Sequence, residues 1–208
     1  MATSTIDTDT ELSAVNSILG SIGQAPVTNL DLAGNPNPEI SFIYNILTEV
    51  NKDVQNEGWH FNTETHIKIT TTESNKNITV PSNVLSYDLH DGLTDKTYDT
   101  VIRDGKLYDL VEHTFDFEPG DHYLDQVTLY SFEKLPNVFQ RYITYRAATR
   151  AATQLVSNPQ LVQLLQTQEA LARANCMEYE CNKSDSSYFG VPHGARYQSY
   201  QPFDALRR

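Results

Sequence analysis

The stretch LPNVFQRYITYRAATRAATQ, Leu135–Gln154, carries Arg141, Arg146 and Arg150 and no acidic residue, in a chain whose formal net charge is −12. Pro136 or Asn137 opens a helix here, since proline at a helix start costs no hydrogen bond that the first turn could have made. Helical patterning continues to about Val156. Ala147, Ala148, Ala151 and Ala152 are spaced so that small side chains let this helix come close to its neighbours. Asn158–Pro159 is a second start of cap-plus-proline type, and a joint of one or two residues implies an antiparallel helical hairpin. The next helix takes Leu161, Leu164, Leu165, Leu171, Ala172, Cys176 and Tyr179 as its apolar positions.

Two helices precede this pair. Thr8 with Glu11 three residues on reads as a capping box, followed by Leu12, Val15, Ile18, Leu19 and Ile22 at helical spacing, with Gly20, Gly23 and Pro26 closing the segment. Asn37 then caps a helix with Pro38 at its first position; Ile40, Ile43, Tyr44, Leu47, Val50 and Val54 mark its buried face, and Gly58 ends it. From Trp59 to Phe132 the texture changes to short alternating runs: HIKITTT, NITVP, VLSYDLH, DTVIRDGKLYDL and DQVTLYSF. Asp104–Gly105 is the strongest hairpin signal, because a two-residue type I′ turn needs positive φ at both positions. Helical patterning resumes after Pro136, so the β module is an insertion. The expected fold class is α+β: an antiparallel helical bundle with an inserted small β module and an extended C-terminal tail. Residues 1–57 give helices 1 and 2, 58–135 the β module, 136–182 helices 3 and 4, and 183–208 the tail.

A chain of 208 residues, 39% hydrophobic and 10% aromatic, can bury a core without metals or disulfides. It holds no apolar run of membrane-spanning length, and MATSTIDTDTE has neither the basic nor the apolar region of a signal peptide, so synthesis in a cytoplasm is expected. Cys176 and Cys181, five apart on one helix, face different ways and are expected to stay free thiols. The acidic balance argues against nonspecific nucleic-acid binding by the exterior. It is also uneven: residues 1–57 hold eight acids against Lys52 alone, whereas residues 136–208 hold eight bases against five acids. Such asymmetry suits a chain that assembles with copies of itself or docks on a partner.

A catalytic centre is hard to find. The densest polar cluster, EHTFDFEPGDHYLD, holds Glu112, His113, Asp116, Glu118, Asp121, His122 and Asp125, yet it matches neither an EF-hand loop nor an HExxH helix. As paired carboxylates the same residues could serve a glycosidase, a condition that almost any acidic chain meets. GxSxG, GxGxxG and GxxxxGK[ST] are missing from the sequence. Trp59, placed after a glycine stop, is expected to plug the core. The last segment lacks periodicity but contains Tyr188, Phe189, Tyr197, Tyr200 and Phe203, the anchors of a segment that orders on another surface.

ELSAVNSILGSIGQAPVTNL at residues 11–30, NILTEVNKDVQNEGWHFNTE at 45–64, EKLPNVFQRYITYRAATRAATQ at 133–154 and CMEYE at 176–180 resemble the tail tubular protein A family, the head-to-tail adaptors of T7-like podoviruses. The resemblance covers Glu11 to Asn182 and is weak in the β insertion. It implies a structural virion tail protein, made in the bacterial host cytoplasm, with no enzymatic activity, no cofactor, no metal and no membrane contact. Twelve copies would form a ring between the portal protein and the tail nozzle, tail tubular protein B, with the tail fibre as a further neighbour; genomic DNA would pass through the lumen without specific binding. The alternative is a virion-associated cell-wall (peptidoglycan) hydrolase, which would use carboxylates such as Glu112, Asp116, Glu118 or Asp121. In a ring each contact is heterologous. Arg141, Arg146 and Arg150 are then expected to meet Glu49, Asp53, Glu57 or Glu39 of the adjacent copy, against the alternatives of ion pairs within the chain and a direct grip on DNA. The tail, with Tyr188, Phe189, Tyr197, Tyr200, Phe203, Arg207 and Arg208, is expected to dock on the portal.

Overall fold

The computed structural model describes residues 10–30, 37–89, 98–156 and 158–183. Helices α1 (Glu11–Ser21) and α2 (Pro38–Gln55) precede strands β1 (Thr63–Thr71), β2 (Val84–Leu89), β3 (Thr100–Arg103), β4 (Lys106–Asp109) and β5 (Gly120–Thr128); a 3₁₀ turn (Phe132–Lys134) leads into α3 (Asn137–Leu155) and α4 (Pro159–Lys183). The class is α+β, four helices with small antiparallel sheets.

Helix α3 is the element on which α1, α2 and α4 all pack. Its Ala147, Ala148, Ala151 and Ala152 are between 0% and 3% exposed, and side chains of one carbon set the distance at which the neighbours lie. Phe139, Tyr142 and Ile143 fill the wider space toward its start. Helix α4 runs antiparallel to α3, as the short joint requires: the Cys176 thiol lies 3.5 Å from the Val138 carbonyl oxygen, which brings the end of α4 to the beginning of α3. Asn158 caps α4 as expected, its Oδ1 accepting from the Gln160 and Leu161 amides at 3.1 and 3.3 Å. Asn37 does the same for α2, accepting from the Glu39 amide at 3.0 Å.

Two helix readings need correction. Helix α1 is capped by Thr10, whose Oγ1 accepts from the Ser13 amide at 3.2 Å. Glu11 therefore occupies the first helical position instead of closing a capping box with Thr8, which lies outside the described residues. On α4, Leu165, Ala172 and Cys176 are buried, but Leu164 and Leu171 are each 66% exposed. Each stands one position from a buried residue, a turn of about 100°, and a helix packed against a single neighbour covers only one stripe.

The sheet order is β1-β5-β2, antiparallel throughout, and β3-β4 forms a separate hairpin. Asp104 and Gly105 turn that hairpin at φ +50° and +69°, both left-handed as the type I′ turn demands. The NITVP run forms no named strand; it docks on the hairpin through Leu107 N to Ile78 O at 3.0 Å and Val80 N to Gly105 O at 2.9 Å. Strand β5 begins at Gly120, ahead of the expected DQVTLYSF, so the acidic residues 121 and 125 lie within it. Ile78, Tyr87, Leu89, Leu107, Phe117 and Leu124 make a hydrophobic cluster of this module, distinct from that of the bundle.

The module is fastened to the bundle by two buried amides. Gln55, fully buried at the end of α2, donates through Nε2 to the Tyr130 carbonyl at 2.8 Å and accepts through Oε1 from the Tyr130 amide at 2.8 Å. Asn62 donates to the Gln55 carbonyl at 2.8 Å and accepts from the Trp59 amide at 2.8 Å, while its own carbonyl accepts from the Thr128 amide at 2.8 Å. Trp59 plugs the joint, donating to the Val54 carbonyl at 2.7 Å with its ring edge-on to Phe139 at 4.9 Å. Gly58, at φ +73°, makes the turn that a side chain would strain. Replacing Gln55 by Leu keeps the volume but strands the Tyr130 N–H and C=O. We expect Gln55→Leu to destabilise the chain by about 1–3 kcal/mol, read as a lower urea midpoint; an unchanged midpoint would show that water or a shifted loop satisfies Tyr130.

Candidate functional site

Where α2 ends, Glu57 gathers two arginines from two other helices. Arg146 of α3 donates from Nη1 to Glu57 Oε1 at 3.3 Å; Arg173 of α4 reaches Oε1 from Nη1 at 3.2 Å and Oε2 from Nη2 at 3.1 Å. The buried hydroxyl of Tyr142 accepts from both, from Arg146 at 3.2 Å and from Arg173 at 2.8 Å. Both guanidinium groups also stand over the Tyr142 ring, 5.9 and 5.8 Å from its centre, within cation–π reach. Hydrogen bonding to Glu57 first, and to Tyr142 second, raises the Arg173 pKa above the usual arginine range. The group is a permanent charge, and the cluster ties α2, α3 and α4 at one point.

One turn farther along α3, Arg150 meets Glu49 at 3.2 Å and Asp53 at 3.6 Å, both on α2. The pairing expected between copies for Arg146 and Arg150 with Glu49, Asp53 and Glu57 is thus closed within the chain. The packing of α2 on α3 brings these carboxylates near enough for short-range pairing. Arg141 is separate. It is exposed, makes no ion pair among the described residues, and lines a groove of about 720 Å³ between α3 and α4 together with Tyr145, Leu171, Asn175 and Glu178. Arg173 and Tyr142 escaped the sequence reading: a lone arginine on α4 has no spacing that announces its partner. Tyr188, Phe189, Tyr197, Tyr200, Phe203, Arg207 and Arg208 lie outside the described residues.

Within the acidic cluster, Asp121 and Asp125 tie β5 to β1. Asp121 accepts from Thr70 Oγ1 at 2.7 Å and pairs with Lys68 at 2.7 Å, and Lys68 holds its carboxyl below the usual range. Asp116 accepts from Asn77 Nδ2 at 3.0 Å, and Asp125 from the His66 amide at 3.0 Å. His122 Nε2 lies 2.8 Å from the Glu118 carbonyl and 3.1 Å from Thr71 Oγ1. Among the described residues no three His, Cys, Asp or Glu side chains are arranged to hold a metal ion, and no helix is long and apolar enough to cross a membrane.

The chain matches the Tube family, tail tubular protein, over residues 12–186. It belongs to that family. A tail tubular protein is a structural component of the virion tail, and so this chain is a tail assembly component. A search of curated proteins finds no match.

Two outcomes test the site. Glu57→Ala removes the shared acceptor of Arg146 and Arg173, which are only partly screened from water; we expect a loss of about 1 kcal/mol, a fall of roughly 2–4 °C in Tm that shrinks in high salt. A Tm unaltered by the substitution would mean that the cluster adds nothing to stability. Burial pushes the Cys176 thiol up to about 12, so it stays protonated and slow at neutral pH, whereas Cys181 is exposed. A thiol reagent added to the folded chain should label one cysteine quickly and the second only in denaturant; two equally fast thiols would contradict the buried placement.

Proposed function

We propose that this tail tubular protein is a ring-forming head-to-tail adaptor that joins the portal to the tail nozzle, tail tubular protein B, and surrounds the DNA exit channel. The observation that carries the reading is the family match over residues 12–186, which takes in all four helices and the β module. Copies meet heterologously in a closed ring, twelve in number by the family resemblance. The net charge of −12 suits a channel through which phosphates slide: basic walls would bind the duplex by releasing its counterions, and acidic walls repel it. Arg146 and Arg150 are engaged with carboxylates, which leaves them little to offer DNA. The tail docks on the portal through Tyr188, Phe189, Tyr197, Tyr200 and Phe203, with Arg207 and Arg208 at its end, while the β module faces the nozzle or the outer rim. The chain acts without catalysis or cofactor. It is made in the bacterial cytoplasm and incorporated into the particle. Of the carboxylates that would serve a peptidoglycan hydrolase, Asp116 accepts from Asn77 and Asp121 accepts from Thr70 and pairs with Lys68.

Negative-stain microscopy of the purified chain mixed with its cognate portal tests the reading. The expected image is a second annulus stacked on the portal, lost when the chain is truncated after Lys183. Portal particles without that annulus would overturn the adaptor reading, and truncated chain that still docks would remove the tail from it.

A further inference from the structure

Among the described residues, nothing covers Leu164 and Leu171 on the side of the α3–α4 pair turned away from Glu57. Leu164 and Leu171, seven residues apart on α4, are each 66% exposed, and Tyr145 of α3 lines the groove with Leu171. Because α3 and α4 are antiparallel, moving up α4 leads from this apolar end past Arg141 to Glu178. Glu178, like Arg141, makes no ion pair among the described residues. Leu164 and Glu178 are about 21 Å apart along the helix at 1.5 Å per residue. With Leu164 continuing the same face of α4 beyond the residues that line the groove, the surface presents, in order, an apolar end, a cation and an anion.

The outer face of α2 carries the matching order. Phe42 is 38% exposed; Glu49 and Lys52 follow on the same exposed side, about 10 and 15 Å farther along the helix. Oε2 of Glu49 is held by Arg150, which leaves Oε1 for a second cation. The geometry points to a second copy of this chain as the occupant of the groove. Helix α2 of one copy lies along the groove of the next, parallel to α4, with Phe42 between Leu164 and Leu171, Glu49 on Arg141 and Lys52 on Glu178. The reverse direction would place Lys52 against the leucines and Phe42 against the charges, so the order of groups selects one orientation. Groove and α2 face are different surfaces of the same chain, and a contact of that kind repeats from copy to copy until it closes. This inference rests on the ring reading and names the surfaces that make the ring.

Tails purified from cells producing the full-length triple variant Phe42→Cys, Leu171→Cys, Cys181→Ser and treated with a short bismaleimide provide the test. The expected result on a denaturing gel is a ladder of covalent multimers of this chain, absent when either Phe42→Cys or Leu171→Cys is left out. A chain that stays monomeric on the gel while micrographs of the same tails still show a ring overturns the groove contact alone. Wild-type tails that contain no ring of this chain overturn the adaptor reading beneath it as well. A second pair of variants guards against a folding defect in the first. Glu178→Lys should lower the chain recovered in tails severalfold, and adding Lys52→Glu to the same chain should restore it; failure of the swap to restore incorporation counts against the contact.

Discussion

Close approach of helices at the alanine face of α3 is the constraint from which the rest of the bundle follows. Ala147, Ala148, Ala151 and Ala152 are buried with no volume beyond Cβ, so the backbones around them draw in. That proximity, not charge, decides where Arg146 and Arg150 go. Ion pairs at the surface of a protein contribute about 0–1 kcal/mol each and could not by themselves draw helices together. Hydrophobic burial at about 25 cal/mol per Å² supplies the driving force, and the arginines then meet whatever carboxylates the packing has brought into range. The result is a basic helix whose Arg146 and Arg150 are paired within their own chain with Glu57, Glu49 and Asp53.

The same logic explains how a β module of some seventy residues can interrupt the bundle without opening it. Its two ends leave and re-enter at one place, where Gln55 pairs with the backbone of Tyr130 as a neighbouring strand would and Asn62 bridges to Thr128. A third tie comes from α4, whose Glu180 accepts from the His60 amide at 2.8 Å. The module is thereby held at a definite position on the bundle.

Much of this was legible because it is local. Asn37–Pro38 and Asn158–Pro159 mark helix starts through the chemistry of their own side chains, and Asp104–Gly105 marks a hairpin because few residue pairs tolerate that turn. Thr8 stands with the spacing of a capping box, but Thr10 has the same side chain two residues on, and only the backbone of the folded chain shows that Thr10 is the cap. Leu164 and Leu171 were read as core because a helical repeat does not say how many neighbours the helix has. The strand start at Gly120 was hidden by acidic residues that turn out to bond across the sheet. Partner choice was the least visible: sequence shows that Arg146, Arg150 and Arg173 are charged, but only packing shows that Glu57 takes two of them. Gln55 gave no sign of its role, because a lone glutamine at the end of a helix usually faces water.

Once the intrachain pairs are formed, the α3–α4 groove has at its sides a cation and an anion that make no ion pair among the described residues, and α2 has an acidic face with an exposed phenylalanine. Two such surfaces on one tail tubular protein are what a repeating, closed contact requires. A density map of the assembled tail, resolved well enough to trace helices, examines this directly. The account predicts a closed ring of this chain adjoining the portal, with every α3–α4 groove filled by α2 of the next copy. A map in which the chain sits elsewhere in the particle, or in which its copies do not touch, would contradict it.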